Sequence, residues 1–488
     1  MYYMKSKSGG VSEKSVFQYL KALEKYNLST HSLIFAKGDD IFFEQYWKPF
    51  DEKFLHRMYS VSKSFVSIAI GFLEQDGLIS LDDKIEKYFQ NEFAGQTDEN
   101  MKRQTIRHML MMCTAKEDRC WFDDKPSDRV KYYFENDKPF SRYPGLIFQY
   151  DSSGSFVLGA LVERITKMEL MEYLRVKLFD KIGVSKEAYC LKCPGGHSWG
   201  DSGIVCTPRD LFKVARFVMN KGNWNGEQIL NAEYLEKATA DLVSSDEFGQ
   251  VFYNTQGYGY LFWRTYENSF FFNGMGCQLA VCVPDKDMIM IYNGDNQGNS
   301  LAKEIIIRSF FDIIVNSEKT DETDGDLEKY CDSLKLASLK GEKHSFFSES
   351  INGATYILES NPMGIKKISV EFEGEKGKLK YTNGQGDKEI VFGMCKNEFG
   401  KFPQVGYSDN IGSVYAEGNR YDCAASAVWS EPTKLMIKVQ IIDKYFGNLN
   451  ITLGFKDDKI SIRMEKFAED FLNEYQGFAT GIRENMRK

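Results

Sequence analysis

The spacing of apolar residues changes once along the chain, and that change calls for two kinds of folded unit. Beyond residue 350 the period is two. Ile368-Ser369-Val370-Glu371-Phe372, Leu435 to Ile442 and Ile451-Thr452-Leu453 read as strands, and Lys456-Asp457-Asp458-Lys459 reads as a hairpin turn. Strands with one apolar face must close on one another. Residues 350–466 are therefore expected to form a small all-β barrel or sandwich, with a closing helix near Ala468 to Tyr475.

Before residue 316 the period is mixed. Ser15 to Tyr26 places Val16, Tyr19, Leu20 and Leu23 on one helical face. Leu33 to Ala36 and Ile41 to Phe43 are apolar runs joined by Lys37-Gly38-Asp39-Asp40, which predicts a hairpin. Helices are expected over Ser60 to Gln75, stopped at Gly77, and over Ile106 to Met112 and Ser155 to Thr166. Another starts at Thr207-Pro208-Arg209-Asp210, with a capping threonine, proline at the first helical position and an acid at the third. Short strands follow at Phe270 to Phe272, Leu279 to Val283 and Met288 to Tyr292, then a helix at Ile305 to Val315. Strands at both ends with helices between predict an α+β domain whose antiparallel sheet is built from both ends of the segment. The expected organisation is thus a domain over 11–316, a charged linker over 317–349 with room for a short helix, and a β-domain over 350–488.

Composition excludes several classes. At 488 residues the chain is too long for one core. Its net charge of −8 includes no basic tract, which argues against nucleic acid or an anionic membrane as partner. No apolar run reaches the roughly 18 residues that span a bilayer. Met1 to Ser12 is polar, without the apolar stretch of a signal peptide, so the expected location is the cytoplasm and the 10 cysteines are expected as free thiols.

Three segments carry possible chemistry. Ser60-Val61-Ser62-Lys63 sets a serine and a lysine on one helical face, where a lysine without its proton could activate the hydroxyl. The helix N-terminus offers the Ser60 amide to a developing oxyanion. By spacing alone the same pattern describes a capping serine and a solvated lysine, as at Ser300-Leu301-Ala302-Lys303. Tyr150-Asp151-Ser152 is a polar turn before a helix; its tyrosine could face the pair, and Ser152 could bridge to the lysine. Alone it is an ordinary surface turn. Phe272-Asn273-Gly274-Met275-Gly276 is a glycine-rich strand end where a substrate could approach the backbone closely and the Met275 amide could donate; alone it is a bulge or tight turn. Cys190-Leu191-Lys192-Cys193 has no second pair at zinc-site spacing, and no metal is expected. His197, in a glycine-rich loop, reads as a surface histidine.

Together, in this order and spacing, the three segments resemble the serine β-lactamase and penicillin-binding protein superfamily, nearest its class C β-lactamase-like hydrolases, which include esterases and D-amino-acid peptidases. Met58 to Phe65, Asp76 to Lys84, Thr105 to Leu110 and Thr207 to Leu211 look like its framework segments, and the resemblance covers roughly residues 11 to 316. It implies a β-lactamase-like antiparallel sheet with flanking helices and an inserted helical region. It also implies Ser60 as the acylated nucleophile, Lys63 and Tyr150 sharing the general-base role, and amides of Ser60 and Met275 as the oxyanion hole. The β-domain resembles lipocalin-like modules appended to some of these hydrolases. One position departs from the pattern: where β-lactamases carry Lys-Thr-Gly or His-Thr-Gly, this chain has Phe272-Asn273-Gly274. A charge-assisted hydrogen bond is worth about 1.5–3 kcal/mol, so its loss disfavours substrates held by a carboxylate and favours an uncharged ester or amide. The expectation is a serine hydrolase needing no cofactor, acting on a small ester, amide or peptide-like substrate. β-Lactamase or D-amino-acid peptidase activity is the alternative, and a binding protein on a retired hydrolase fold is the rival from another class.

Overall fold

The computed structural model describes residues 3–4, 10–116, 121–124, 126–135, 141–246, 251–317, 326–404, 421–469 and 471–484. They fall into two compact units, Met1–Lys335 and Leu336–Lys488. No helix among them is long and apolar enough to cross a membrane.

The first unit opens with helix α1 (Glu13–Lys25), capped by Ser12, whose hydroxyl accepts from the Ser15 amide at 3.1 Å. The expected hairpin follows as β1 (Thr30–Lys37) and β2 (Asp40–Tyr46). Helix α2 (Ser62–Gln75) is buried on every side from Ser62 to Leu73 and forms the centre of the helical region with α3 (Ser152–Thr166). Helix α4 (Pro208–Met219) carries the expected capping box, in which Thr207 accepts from the Asp210 amide while Asp210 accepts from that of Thr207. Strands β3 (Trp263–Thr265), β4 (Ser269–Gly274), β5 (Gln278–Val283) and β6 (Met288–Gly294) complete an antiparallel sheet in the order β2-β1-β6-β5-β4-β3, with Tyr3–Met4 added at the β2 edge. The β1–β6 pairing joins the two ends of the domain and sets Phe35 opposite Met290.

Both faces of the sheet are covered, which is why β5 and β6 are buried throughout. On one face Tyr19 of α1 donates to the Ile306 carbonyl and meets Phe35 edge-on, while Phe310 stacks on Phe35. On the other, α4 packs against β5 and β6. The helix expected at Ile305 to Val315 spans Ala302–Ser309 and widens into a π-type turn over Phe310–Val315.

The second unit is a barrel. Its described strands are β7 (Thr355–Leu358), β8 (Lys367–Glu373), β9 (Lys376–Asn383), β10 (Gly386–Met394), β11 (Glu398–Lys401), β12 (Asp422–Glu431), β13 (Lys434–Ile442), β14 (Phe446–Lys456), β15 (Lys459–Phe467) and β16 (Gly477–Arg483). Nine of them form a ring in the order β10-β9-β8-β7-β16-β15-β14-β13-β12, and β11 lies along the first half of β12. An odd ring of antiparallel neighbours needs one parallel contact. It is β10 to β12, at Gly393–Ser426 and Met394–Ala427. The period of two fills the inside with Leu379, Ile437, Leu449, Leu453 and Ile462.

One expectation is corrected here. Ala468 to Tyr475 holds no helix among its described residues. Phe471, Leu472 and Tyr475 have helical spacing, yet all three are buried in a turn that leads into β16, and Tyr475 bonds to Tyr381 and Gln404. The charged stretch between the domains carries the short helix Leu327–Ser333, which falls in the first unit; residues 318–325 lie outside those described.

Candidate active site

Ser60 sits in a tight 3-10 turn, Tyr59–Val61, that runs directly into α2. The preceding residue, Tyr59, has φ +49°, a left-handed conformation that a non-glycine residue seldom adopts. It is held from several sides: the Met58 amide donates to the Ile204 carbonyl at 2.8 Å, the Ile204 amide to Ser62 Oγ at 3.0 Å, and Ser64 Oγ to the Leu261 carbonyl at 2.8 Å. Strain at a turn that presents a hydroxyl is maintained only where such anchors over-determine it.

Lys63 is one helical turn on and 2% exposed. Its Nζ donates to Ser60 Oγ at 3.0 Å and to the backbone carbonyl of Asp201 at 2.8 Å. The Tyr150 ring lies over the same nitrogen, 5.0 Å from ring centre to Nζ, and stacks on Trp263 at 5.7 Å. Asp151 caps α3 by accepting from the Gly154 amide at 2.7 Å, and this fixes the turn that carries Tyr150. The structure thus brings Ser60, Lys63 and Tyr150 together. Ser152, expected to bridge to the lysine, is the first residue of α3; among the described residues Lys63 Nζ donates to Ser60 and Asp201.

The third segment forms the end of β4 and the turn into β5. Gly274 is required by contact: a Cβ there would lie 2.4 Å from the Met58 carbonyl oxygen. The strand end therefore touches the backbone two residues before Ser60. Gly276, at φ +71°, makes the turn, and Gln278 holds it from behind by donating to the Met275 carbonyl at 3.3 Å and to that of Gly294 at 2.6 Å. Met275 is half-buried at this turn. Phe272 needs correction. It is fully buried and meets Phe262 edge-on at 5.0 Å, so it offers no surface to a ligand. A run of three phenylalanines in a strand covered on both faces does not disclose which ring points to a site.

Sequence reasoning missed a second layer. Arg129 makes a bidentate ion pair with Asp201, at 2.7 and 3.1 Å, with both side chains almost wholly buried. Arg57 binds the Ser202 carbonyl and hydroxyl, at 3.0 and 3.1 Å. Glu163 accepts from the Ser198 amide and binds His197 Nδ1 at 2.7 Å, so His197 is tied to α3 rather than free on the surface. Burial alone would raise the Glu163 carboxyl, but the hydrogen bonds from His197, Ser198 and Leu170 outweigh it and hold it below the usual range. The one signal available in the sequence was the glycine-rich Gly195-Gly196-His197-Ser198-Trp199-Gly200, which marks a tight loop next to Asp201.

The nine described cysteines are free, and Cys120 lies outside the described residues. Burial pushes Cys193 up to about 12. Among the described residues no group of three or more His, Cys, Asp or Glu side chains converges as a metal site.

Comparison with known proteins agrees with this frame. The family model described as Beta-lactamase matches residues 16–303. The 6-aminohexanoate-dimer hydrolase of Paenarthrobacter ureafaciens is 24% identical over 230 residues, which cover 43% of this chain and 57% of that protein. The match thus spans little more than half the length of that curated relative. The octameric penicillin-binding protein homologue from Pyrococcus abyssi superposes with a TM-score of 0.50 at 14% identity, over 96% of this chain and 99% of its own. That likeness is one of fold, and it extends through the barrel.

Proposed function

The chain belongs to the beta-lactamase family, and from that premise we propose that it is a serine hydrolase that opens a small amide or ester through an acyl-enzyme on Ser60. The observation that carries this reading is the buried Lys63 Nζ, 3.0 Å from Ser60 Oγ with the Tyr150 ring over it. Ser60 Oγ attacks the carbonyl carbon while its proton passes to an unprotonated Lys63, directly or through the Tyr150 hydroxyl. The tetrahedral oxyanion faces the amides of Ser60 and Met275. Collapse breaks the bond to the leaving nitrogen or oxygen, which takes the proton back. Water then attacks the acyl-enzyme by the same route, regenerating Ser60.

Two features bear on the substrate. Around the third segment, β4 carries no cation where β-lactamases have one, which disfavours recognition of a carboxylate there. Leu146 and Ile147, on the turn just before Tyr150, are 72% and 54% exposed. That turn is pinned by hydrogen bonds from Arg142, Gly145 and Gln149 to the carbonyls of Ala115, Cys113 and Met112. A fixed apolar turn leading into Tyr150 suits an uncharged, apolar acyl group. The relative that hydrolyses an aminohexanoate dimer supports a linear amide as one such substrate. The free thiols fit a reducing compartment and the cytoplasm.

The test is intact-mass spectrometry after exposure to a fluorophosphonate, a short-chain p-nitrophenyl ester, a linear amide and a penicillin, beside Ser60→Ala. The expected result is a wild-type adduct absent from the variant, with ester or amide turnover ahead of penicillin. Absence of any adduct would replace this reading with a binding role.

A further inference from the structure

Among the described residues, Lys63 Nζ has one backbone partner, the carbonyl of Asp201. The Asp201 side chain is itself held by Arg129 through both carboxylate oxygens. Arg129 comes from a different part of the chain, the first turn of helix Arg129–Phe134, which is capped by Asp128. Its guanidinium lies against the rings of Phe156 at 4.3 Å and Trp121 at 4.9 Å, and donates to Cys193 Sγ at 3.3 Å. An ion pair this deep is weak grounds for stability, because desolvation offsets most of its attraction. Its position suggests another use.

A lysine that serves as a base has one lone pair and rotates freely about its last carbon–nitrogen bond. It acts on Ser60 only when that lone pair points at Oγ. Donating an N–H to a rigid acceptor on the other side fixes the rotation. The Asp201 carbonyl is that acceptor, and its orientation is set from both sides. Arg57 and Ser62 tie the next residues, Ser202 and Ile204, to the nucleophile's own segment. Arg129 clamps the Asp201 side chain through both carboxylate oxygens.

Resting on the Ser60–Lys63 reading above, we infer that the buried Arg129–Asp201 pair is a positioning device for Lys63. It works through the Asp201 carbonyl and touches neither substrate nor reacting atoms. Loss of the pair lets the carbonyl turn, and misplacement of about 1 Å at a reacting group costs on the order of 100-fold in rate.

The test measures the pH-7 rate of Ser60 labelling by a fluorophosphonate over a range of reagent concentrations, for the full chain and three variants. Asp201→Asn removes the charge pairing and keeps the shape. Because it strands a buried guanidinium and so destabilises the unit, the double variant Arg129→Met with Asp201→Leu replaces the pair by apolar groups among apolar rings. Arg129→Lys keeps a charge but loses the two-point clamp. In folded variants without the pair, the limiting rate is expected to fall about 10- to 100-fold, with the half-saturating concentration unchanged within about twofold. Arg129→Lys should fall between these and wild type. A double variant that melts like wild type and labels Ser60 at the wild-type rate would overturn the inference and leave the pair a packing feature. If the double variant does not fold, Arg129→Lys decides in the same way, and a wild-type limiting rate overturns the inference. A wild-type protein that is not labelled at Ser60 at all would overturn the nucleophile itself, a separate and recognisable result.

Discussion

Gly274 gives the sharpest test of how the site is assembled, because a single methyl group there has a calculable effect. In Gly274→Ala the new Cβ would sit 2.4 Å from the Met58 carbonyl oxygen and 3.0 Å from the Gln278 Cβ. Ordinary contact begins about 1 Å further out, and the obstructing atom is backbone that cannot rotate away. Either β4 or the turn before Ser60 must move by about that distance. The turn is already strained at Tyr59 and tied to Ile204, so the separation of Ser60 from Met275 should grow. Overpacking of this kind costs about 1–3 kcal/mol, a loss of a few degrees in melting temperature. Its effect on acylation should be larger in proportion, about 100-fold, because the Met275 amide, the second of the proposed oxyanion donors, shifts relative to Ser60. The assay pairs thermal melting with the limiting rate of ester acylation. A Gly274→Ala protein that acylates at the wild-type rate would refute the claim that this strand end and the Ser60 turn form one catalytic unit.

Three further predictions concern groups around the site. Phe272→Lys restores a cation at the position where β-lactamases carry one, but here it buries a charge against Phe262; it should lower the melting temperature by several degrees and give no gain in penicillin turnover. His56 is buried and neutral, its pKa lowered by that burial to about 3, so its contribution to stability is complete above about 6.5 and is lost as pH falls from there towards 3. Melting temperatures of His56→Phe should therefore fall less steeply than wild type between pH 7 and 4. Glu163 is held below the usual carboxylate range by its hydrogen bonds, which prevail over burial; its contribution is present above about 4.5 and is lost on further acidification, so Glu163→Gln should flatten the melting profile only below that pH.

What could be read from the sequence was what local chemistry encodes. The Thr207 capping box, the hairpin between β1 and β2, and the buried helix after Ser60 depend on neighbours within four residues, and each lies where spacing places it. The meeting of Ser60, Lys63 and Tyr150 was reached through resemblance, since nothing local links residue 150 to residue 60. Arg129 and Asp201 escaped notice because an ion pair across 72 residues leaves no periodic mark. The helix expected at Ala468 to Tyr475 failed for a related reason. Phe471, Leu472 and Tyr475 satisfy a helical period, but what fixes them is closure around the barrel, with Gly447 making room: a Cβ on that glycine would come within 2.8 Å of Ala468 Cβ. Phe272 shows the limit from the other side, since a strand buried on both faces carries no alternation to assign direction.

The hydroxyls along α2 suggest why the site tolerates a strained turn. Ser62 accepts from Ile204, Ser64 donates to Leu261, and Ser67 bonds with Tyr234, so one helix fastens three separate chain segments. The first carries the Asp201 loop. The second leads to Trp263, on which Tyr150 stacks. Serine is a mediocre helix former, and three in the first six residues of α2 would weaken an isolated helix. In a helix buried on every side they have a different consequence. Each gives a buried backbone group or hydroxyl a partner that an alanine could not, and removal of one leaves that group unsatisfied at about 1–3 kcal/mol. The polar content of α2 therefore ties the proposed nucleophile, the lysine's acceptor and the tyrosine's support to one buried element, which is what the sub-ångström relations of the proposed acyl transfer would require.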